Sequence, residues 1–82
     1  MNPQVTAVSA LTESRLLLTF SNGERRLFDV KPYLQYGVFQ ELRRPEVFNA
    51  ARVVAGSIEW PGEIDLSYDT LYLRSVSAQS AA

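Results

Sequence analysis

Residues 56–69, Gly-Ser-Ile-Glu-Trp-Pro-Gly-Glu-Ile-Asp-Leu-Ser-Tyr-Asp, constrain the fold more than any other stretch of the chain. Ile58 and Trp60 alternate with Ser57 and Glu59, the period of a strand with one apolar face. Pro61 keeps Trp60 out of the α region, so the strand runs extended up to the turn. In Trp60-Pro61-Gly62-Glu63, Pro presets φ at the first central position. Gly62 takes the positive φ that a type II turn needs at the second. Ile64 and Leu66 then share a face, while Asp65 points away from the core or satisfies nearby backbone N–H groups. Ser67 is placed to cap a short helix, with Asp69 in the first turn where the helix dipole favours negative charge. Trp60 is read as a core anchor near Ile58, Phe20 and Leu18, and Gly62 and Asp65 as structural positions that fix this segment.

The N-terminal third reads as a three-strand antiparallel meander. Residues 5–11 alternate, with Val5, Ala7, Ser9 and Leu11 on one face, and Glu13-Ser14 makes a turn. Residues 15–20 and 25–30 are two β-compatible runs joined by Ser21-Asn22-Gly23-Glu24, and Asn-Gly accepts the positive φ of a type I′ hairpin. A two-residue loop would pair Phe20 with Arg25, Leu18 with Leu27, Leu17 with Phe28 and Leu16 with Asp29. In that register Leu16, Leu18, Phe20 and Leu27 form the core side, with Phe20 and Gly23 as structural anchors. Leu17, Phe28 and Val30 form a second apolar face, which points to an interface because a simple exposed sheet is more polar on one side.

Proline and glycine punctuate the middle. Pro32 suits a first helical position, Gly37 interrupts, and Val38, Phe39 and Leu42 are spaced for one helical turn ending at Arg43-Arg44. Pro45 opens another helical piece. Residues 52–55 then form a strand that turns at Ala55-Gly56 into the Ile58–Trp60 run. Residues 71–76 fit helix or strand equally, and residues 74–82 form a tail with little to bury, expected to fray. The expected fold is thus α+β, a single domain over residues 1–82: an N-terminal β-meander, short helices between residues 31 and 50, and a C-terminal hairpin around Trp60.

Composition narrows the chemistry. A chain of 82 residues buries only about 60–65% of its unfolded surface, so its core is thin. Eight basic and nine acidic residues leave a net charge of −1, with no global pull towards nucleic acid or anionic membrane. Cys and His are both missing, which removes disulfides, thiolate ligands, the usual neutral-pH base and the commonest metal ligand. A Ser, Thr or Tyr nucleophile would lack its customary base. No secretory leader or membrane-length apolar run is legible, so a cytoplasmic, nonmembrane protein is expected.

The order Leu-x-Phe-x-Asn-Gly-Glu (residues 18–24), Phe-Asp-Val-x-Pro-Tyr-Leu (28–34), Gly-Val-Phe-x-x-Leu (37–42), Phe48, Ile-Glu-Trp-Pro-Gly-x-Ile-Asp-Leu (58–66) and Asp-Thr-Leu-Tyr (69–72) resembles the bacterial domain-of-unknown-function family 2442. The resemblance spans residues 5–73 and implies a small α+β domain, with no catalytic residues to transfer. Some relatives are encoded beside small partner proteins in toxin–antitoxin-like pairs, which implies a role as the accessory or neutralising half of such a pair. Some relatives carry a helix-turn-helix domain after the shared region. The residues after 73 leave no room for one, so direct nucleic-acid binding is not expected to transfer.

Two functional expectations follow. The first is a noncatalytic interaction domain that self-associates or binds a small protein partner, with Leu17, Phe28 and Val30 as interface and no cofactor or metal. The alternative is a small-ligand-binding or enzymatic domain using the acidic segment Glu59, Glu63, Asp65 and Asp69 with Tyr33, Tyr36, Tyr68 and Tyr72. Paired carboxylates serve as acid and base only where their environments separate their pKa values, and turn solvation, strand charge and helix capping account for these acids more simply. Arg25 and Arg26 fall on opposite faces of a strand and make no single phosphate-binding patch.

Overall fold

In the computed structural model, which describes residues 1–79, the first three strands form the expected meander: β1 (Val5–Leu11), β2 (Arg15–Phe20) and β3 (Arg25–Asp29). The hairpin between β2 and β3 is one residue longer than a type I′ turn. The Gly23 N–H donates to the Phe20 carbonyl and the Phe20 N–H to the Glu24 carbonyl, both at 2.9 Å. Gly23 sits at φ +88°, and the Asn22 side-chain oxygen accepts from the Glu24 N–H at 3.0 Å. This is a type I turn followed by a left-handed glycine, a loop that Asn-Gly serves as well as the two-residue one.

The extra loop residue moves the whole register. Leu16 pairs with Phe28, Leu17 with Leu27 and Leu18 with Arg26, not Leu17 with Phe28. Residues directly opposite share a face, so Phe28 and Val30 join Leu16, Leu18 and Phe20 in the core, with Phe28 1% and Val30 0% exposed. The expected second face of Leu17, Phe28 and Val30 is therefore corrected: only Leu17 remains on it. The cause is burial. The longer loop puts a Phe and a Val where the shorter one would put a single Leu, and each such side chain fully buried contributes about 1.5–3 kcal/mol.

A bulge resets β1 in the same way. Val5 pairs with Phe20 but Ala7 with Thr19, so Thr6 is the extra residue, and its hydroxyl donates to the Thr19 carbonyl at 3.2 Å. Val5 thereby shares the core face with Val8 and Ala10, while Ala7, Ser9 and Leu11 turn outward.

The middle of the chain runs through two 3₁₀ segments, Lys31–Tyr33 and Gly37–Arg43, and a single turn of helix, α1 (Pro45–Phe48). Pro32 and Pro45 stand at helix starts as expected. A second sheet follows, β4 (Arg52–Val54), β5 (Ser57–Trp60) and β6 (Ile64–Leu66) in that order. Ala55 and Gly56 carry φ of 51° and 81°, a two-residue turn, and Gly62 at φ 91° fills the position that the Trp60-Pro61-Gly62-Glu63 turn required. Gly56 also ties the two sheets together: its carbonyl accepts from the Val5 N–H at 2.8 Å. An added Cβ there would lie 2.7 Å from the Gln4 side chain.

Ser67 caps α2 (Tyr68–Leu73), its hydroxyl accepting from the Thr70 N–H at 3.3 Å, with Asp69 in the first turn. Residues 71–76 turn out to be both helix and strand: α2 ends at Leu73, and β7 (Val76–Ser77) pairs antiparallel with β3. The first sheet therefore has four strands, ordered β1-β2-β3-β7. The frayed tail expected from residue 74 on is corrected for residues 74–79, because Ser75 is buried and β7 completes the sheet; residues 80–82 lie outside the described range. Between the sheets sit Leu16, Leu18, Phe20 and Phe28 from one side, Ile58, Trp60, Ile64 and Leu66 from the other, and Leu42, Phe48 and Leu71 from the helical segments. No helix among the described residues is long and apolar enough to cross a membrane.

Candidate interaction face

The outward side of the four-stranded sheet is the surface that the core does not use. The register places Ser9, Leu17, Leu27 and Val76 in one row across the four strands. On one side of this row lie Thr19 and Arg25, and on the other Leu11, Arg15 and Asp29. Leu11, Leu17 and Leu27 are half-buried by their neighbours yet belong to no part of the core cluster, and Val76 is 54% exposed. Every helical segment packs towards the other side. Tyr33 stacks on Phe28 at 5.6 Å between ring centroids, and Leu42, Phe48 and Leu71 enter the core. No covering layer for the outer face is left among the described residues.

Arg25 and Asp29 bracket Leu27 along β3. Neither belongs to any ion pair among the described residues. Asp29 accepts from the Lys31 N–H at 3.0 Å, as its place before the Pro32 turn suggests. Arg15 lies beside its own turn, 4.0 Å from Glu13.

The β7 end of this face is held by a polar cluster that joins two segments far apart in sequence. Arg26, on the core side of β3, donates through Nε to the Ser75 hydroxyl at 2.6 Å and through Nη2 to the Ser75 carbonyl at 2.8 Å. Its guanidinium lies 4.7 Å over the Tyr72 ring and pairs with Glu24 at 3.2 Å. The Tyr72 hydroxyl and the Asn22 amide both donate to Glu24. Tyr72 meets Phe20 edge-on at 5.1 Å. The Tyr72 and Asn22 hydrogen bonds hold the Glu24 carboxyl below its ordinary value, and the same bond to Glu24, helped by desolvation, raises the Tyr72 phenol. The two shifts oppose proton transfer between the pair, so the contact acts as a fixed clasp.

This clasp sets a pH dependence. The folded-state pKa of Glu24 is depressed, so its contribution is present above the unfolded value near 4.5 and is lost as pH falls through the folded value. Urea unfolding of wild type and Glu24→Gln should show a stability gap at neutral pH that closes under acid. A gap unchanged down to low pH would mean that Glu24 is not held ionised by the clasp.

The other residues singled out in the sequence fall elsewhere. Trp60 and Phe20 are buried, and Gly23 and Gly62 occupy turns. Asp65 is exposed and makes no side-chain hydrogen bond or ion pair among the described residues; it faces outward opposite Glu59, which pairs with Arg52 at 3.8 Å. Glu63 lies in the turn, and Asp69 accepts from the Asn2 amide at 2.9 Å. The four acids do not converge, and no group of three or more carboxylates among the described residues is placed to hold a metal ion. The tyrosines also separate: Tyr33 and Tyr36 line a shallow groove with Pro32, Thr70 and Arg74, Tyr68 packs against the core, and Tyr72 is in the clasp. Sequence reasoning missed Leu11, Leu27 and Val76 on the outer face, and the partners of Glu24. Alternation along β3 contained Leu27 once the loop length was known, whereas the clasp joins residues 48 positions apart and left no local signal.

A family model described as "Protein of unknown function (DUF2442)" matches residues 5–77, nearly the whole chain. No curated protein and no solved structure matches.

Proposed function

Since the chain belongs to the DUF2442 family, we propose that it is a noncatalytic cytoplasmic interaction domain whose working surface is the outer face of the four-stranded sheet. The observation that carries this reading is the Leu17–Leu27–Val76 row, apolar and uncovered among the described residues. Contiguous apolar surface rimmed by polar groups commonly marks an interaction site on a soluble protein. The rim here is Ser9, Thr19, Arg15, Arg25 and Asp29. A small-partner system of the toxin–antitoxin-like kind is a setting in which such a surface would serve.

A photocrosslinking residue at position 27, in cells that make the protein, tests the reading. Crosslinks to protein, whether to the chain itself or to another, should form there and not from the exposed control position Val38 on the second 3₁₀ segment. Equal yields at the two positions, or none at either, would overturn the proposal.

A further inference from the structure

We infer that the occupant of the outer face is a second copy of this chain, packed sheet on sheet with its strands reversed; this rests on the interaction reading above. The argument is charge complementarity. Arg25, Leu27 and Asp29 follow one another on the outward side of β3, with Thr19, Leu17 and Arg15 opposite them on β2. A two-fold axis lying across the strands, along the leucine row, exchanges the two ends of each strand. Leu17 then meets Leu17 of the second copy, Leu27 meets Leu27, and Val76 meets Val76. Arg25 of each copy meets Asp29 of the other, which forms two ion pairs by symmetry.

The alternative axis, along the strands between β2 and β3, is less favourable. It pairs Asp29 of each copy with Arg15 of the other, an arginine that already lies 4.0 Å from Glu13. But it puts Val76 against Ser9 and leaves Arg25 facing Thr19, so the arginine that has no ion pair among the described residues stays without one. The crosswise axis matches apolar with apolar and pairs that arginine. Like charges brought together across an interface are strongly disfavoured, so the same two residues also reject the arrangement that sets Arg25 on Arg25.

The pairing is testable because it cannot form within one chain. Four residues apart on a strand, Arg25 and Asp29 stand about 13 Å from each other. Sedimentation equilibrium of the full chain, up to about 1 mM protein at low salt, should show a dimer. Arg25→Asp and Asp29→Arg should each weaken it about tenfold, because each places two like-charged pairs in the interface. The double variant Arg25→Asp with Asp29→Arg should recover wild-type association. Circular dichroism verifies that each variant is folded. A monomeric wild type, or single variants that associate normally, or a double variant that stays as weak as the singles, would overturn the inference. Crosslinks from position 27 to a different protein, alongside a monomeric wild type, would sink the second copy and leave the interaction function standing.

Discussion

Trp60→Ala should leave the domain largely unfolded at room temperature. Trp60 is 2% exposed, its ring stacks on Phe48 at 6.4 Å and 25°, and its indole N–H donates to the Phe48 carbonyl at 3.1 Å. That carbonyl, in the last turn of α1, also accepts from the Ala51 N–H at 3.3 Å. One side chain thus fills the space between the second sheet and α1 and also ties β5 to the end of that helix. Truncating a buried Trp to Ala costs about 3–5 kcal/mol, comparable with the whole stability of a small domain at about 0.05–0.15 kcal/mol per residue. Trp60→Phe keeps most of the packing and loses the hydrogen bond, at about 1–2 kcal/mol. Urea unfolding followed by circular dichroism separates the three proteins. An Ala variant within about 1 kcal/mol of wild type would contradict a core anchor, since surface changes seldom exceed that size.

The second large effect separates two adjacent residues. Phe28→Glu should abolish folding, and Leu27→Glu should not. Phe28 is 1% exposed and stacked between the sheet and Tyr33, so a carboxylate there is buried without a partner, at a cost of several kcal/mol. Leu27 points to the other side of the same strand, beside Leu17 and Val76, where a charge keeps its water. Amide dispersion in NMR spectra of the two variants decides it. The opposite pattern, with Phe28→Glu folded and Leu27→Glu unfolded, would restore the two-residue hairpin register and put Phe28 back on an outer face.

That pair of variants also marks where the sequence stopped being legible. Turns, caps and helix starts were readable because each depends on a few neighbouring residues: Gly62 after Pro61, Ser67 before Asp69, Pro32 and Pro45 opening helical turns. The alternation of Ile58 and Trp60 with Glu59 likewise declared its own burial. The register of β2 against β3 was not readable, because Asn22-Gly23 suits two loops that differ by one residue, and the choice is made by distant packing. The bulge at Thr6 and strand β7 have the same origin. Of the candidate face, Leu17 was placed correctly from sequence, whereas Phe28 and Val30 were exchanged for Leu27 by that single residue of loop. Val76 was hidden because a two-residue strand carries no periodicity.

The shortness of β7 has a thermodynamic consequence. Its two residues are held to β3 by little more than the ladder and the grip of Arg26 on Ser75, so its local opening should take far less free energy than global unfolding. Val76 completes the leucine row only while β7 is docked. Whatever buries that row therefore binds the closed form more tightly, and mass action makes each event favour the other. The C-terminal strand is in this sense a ligand of its own domain, with an occupancy that rises with the concentration of whatever covers the face.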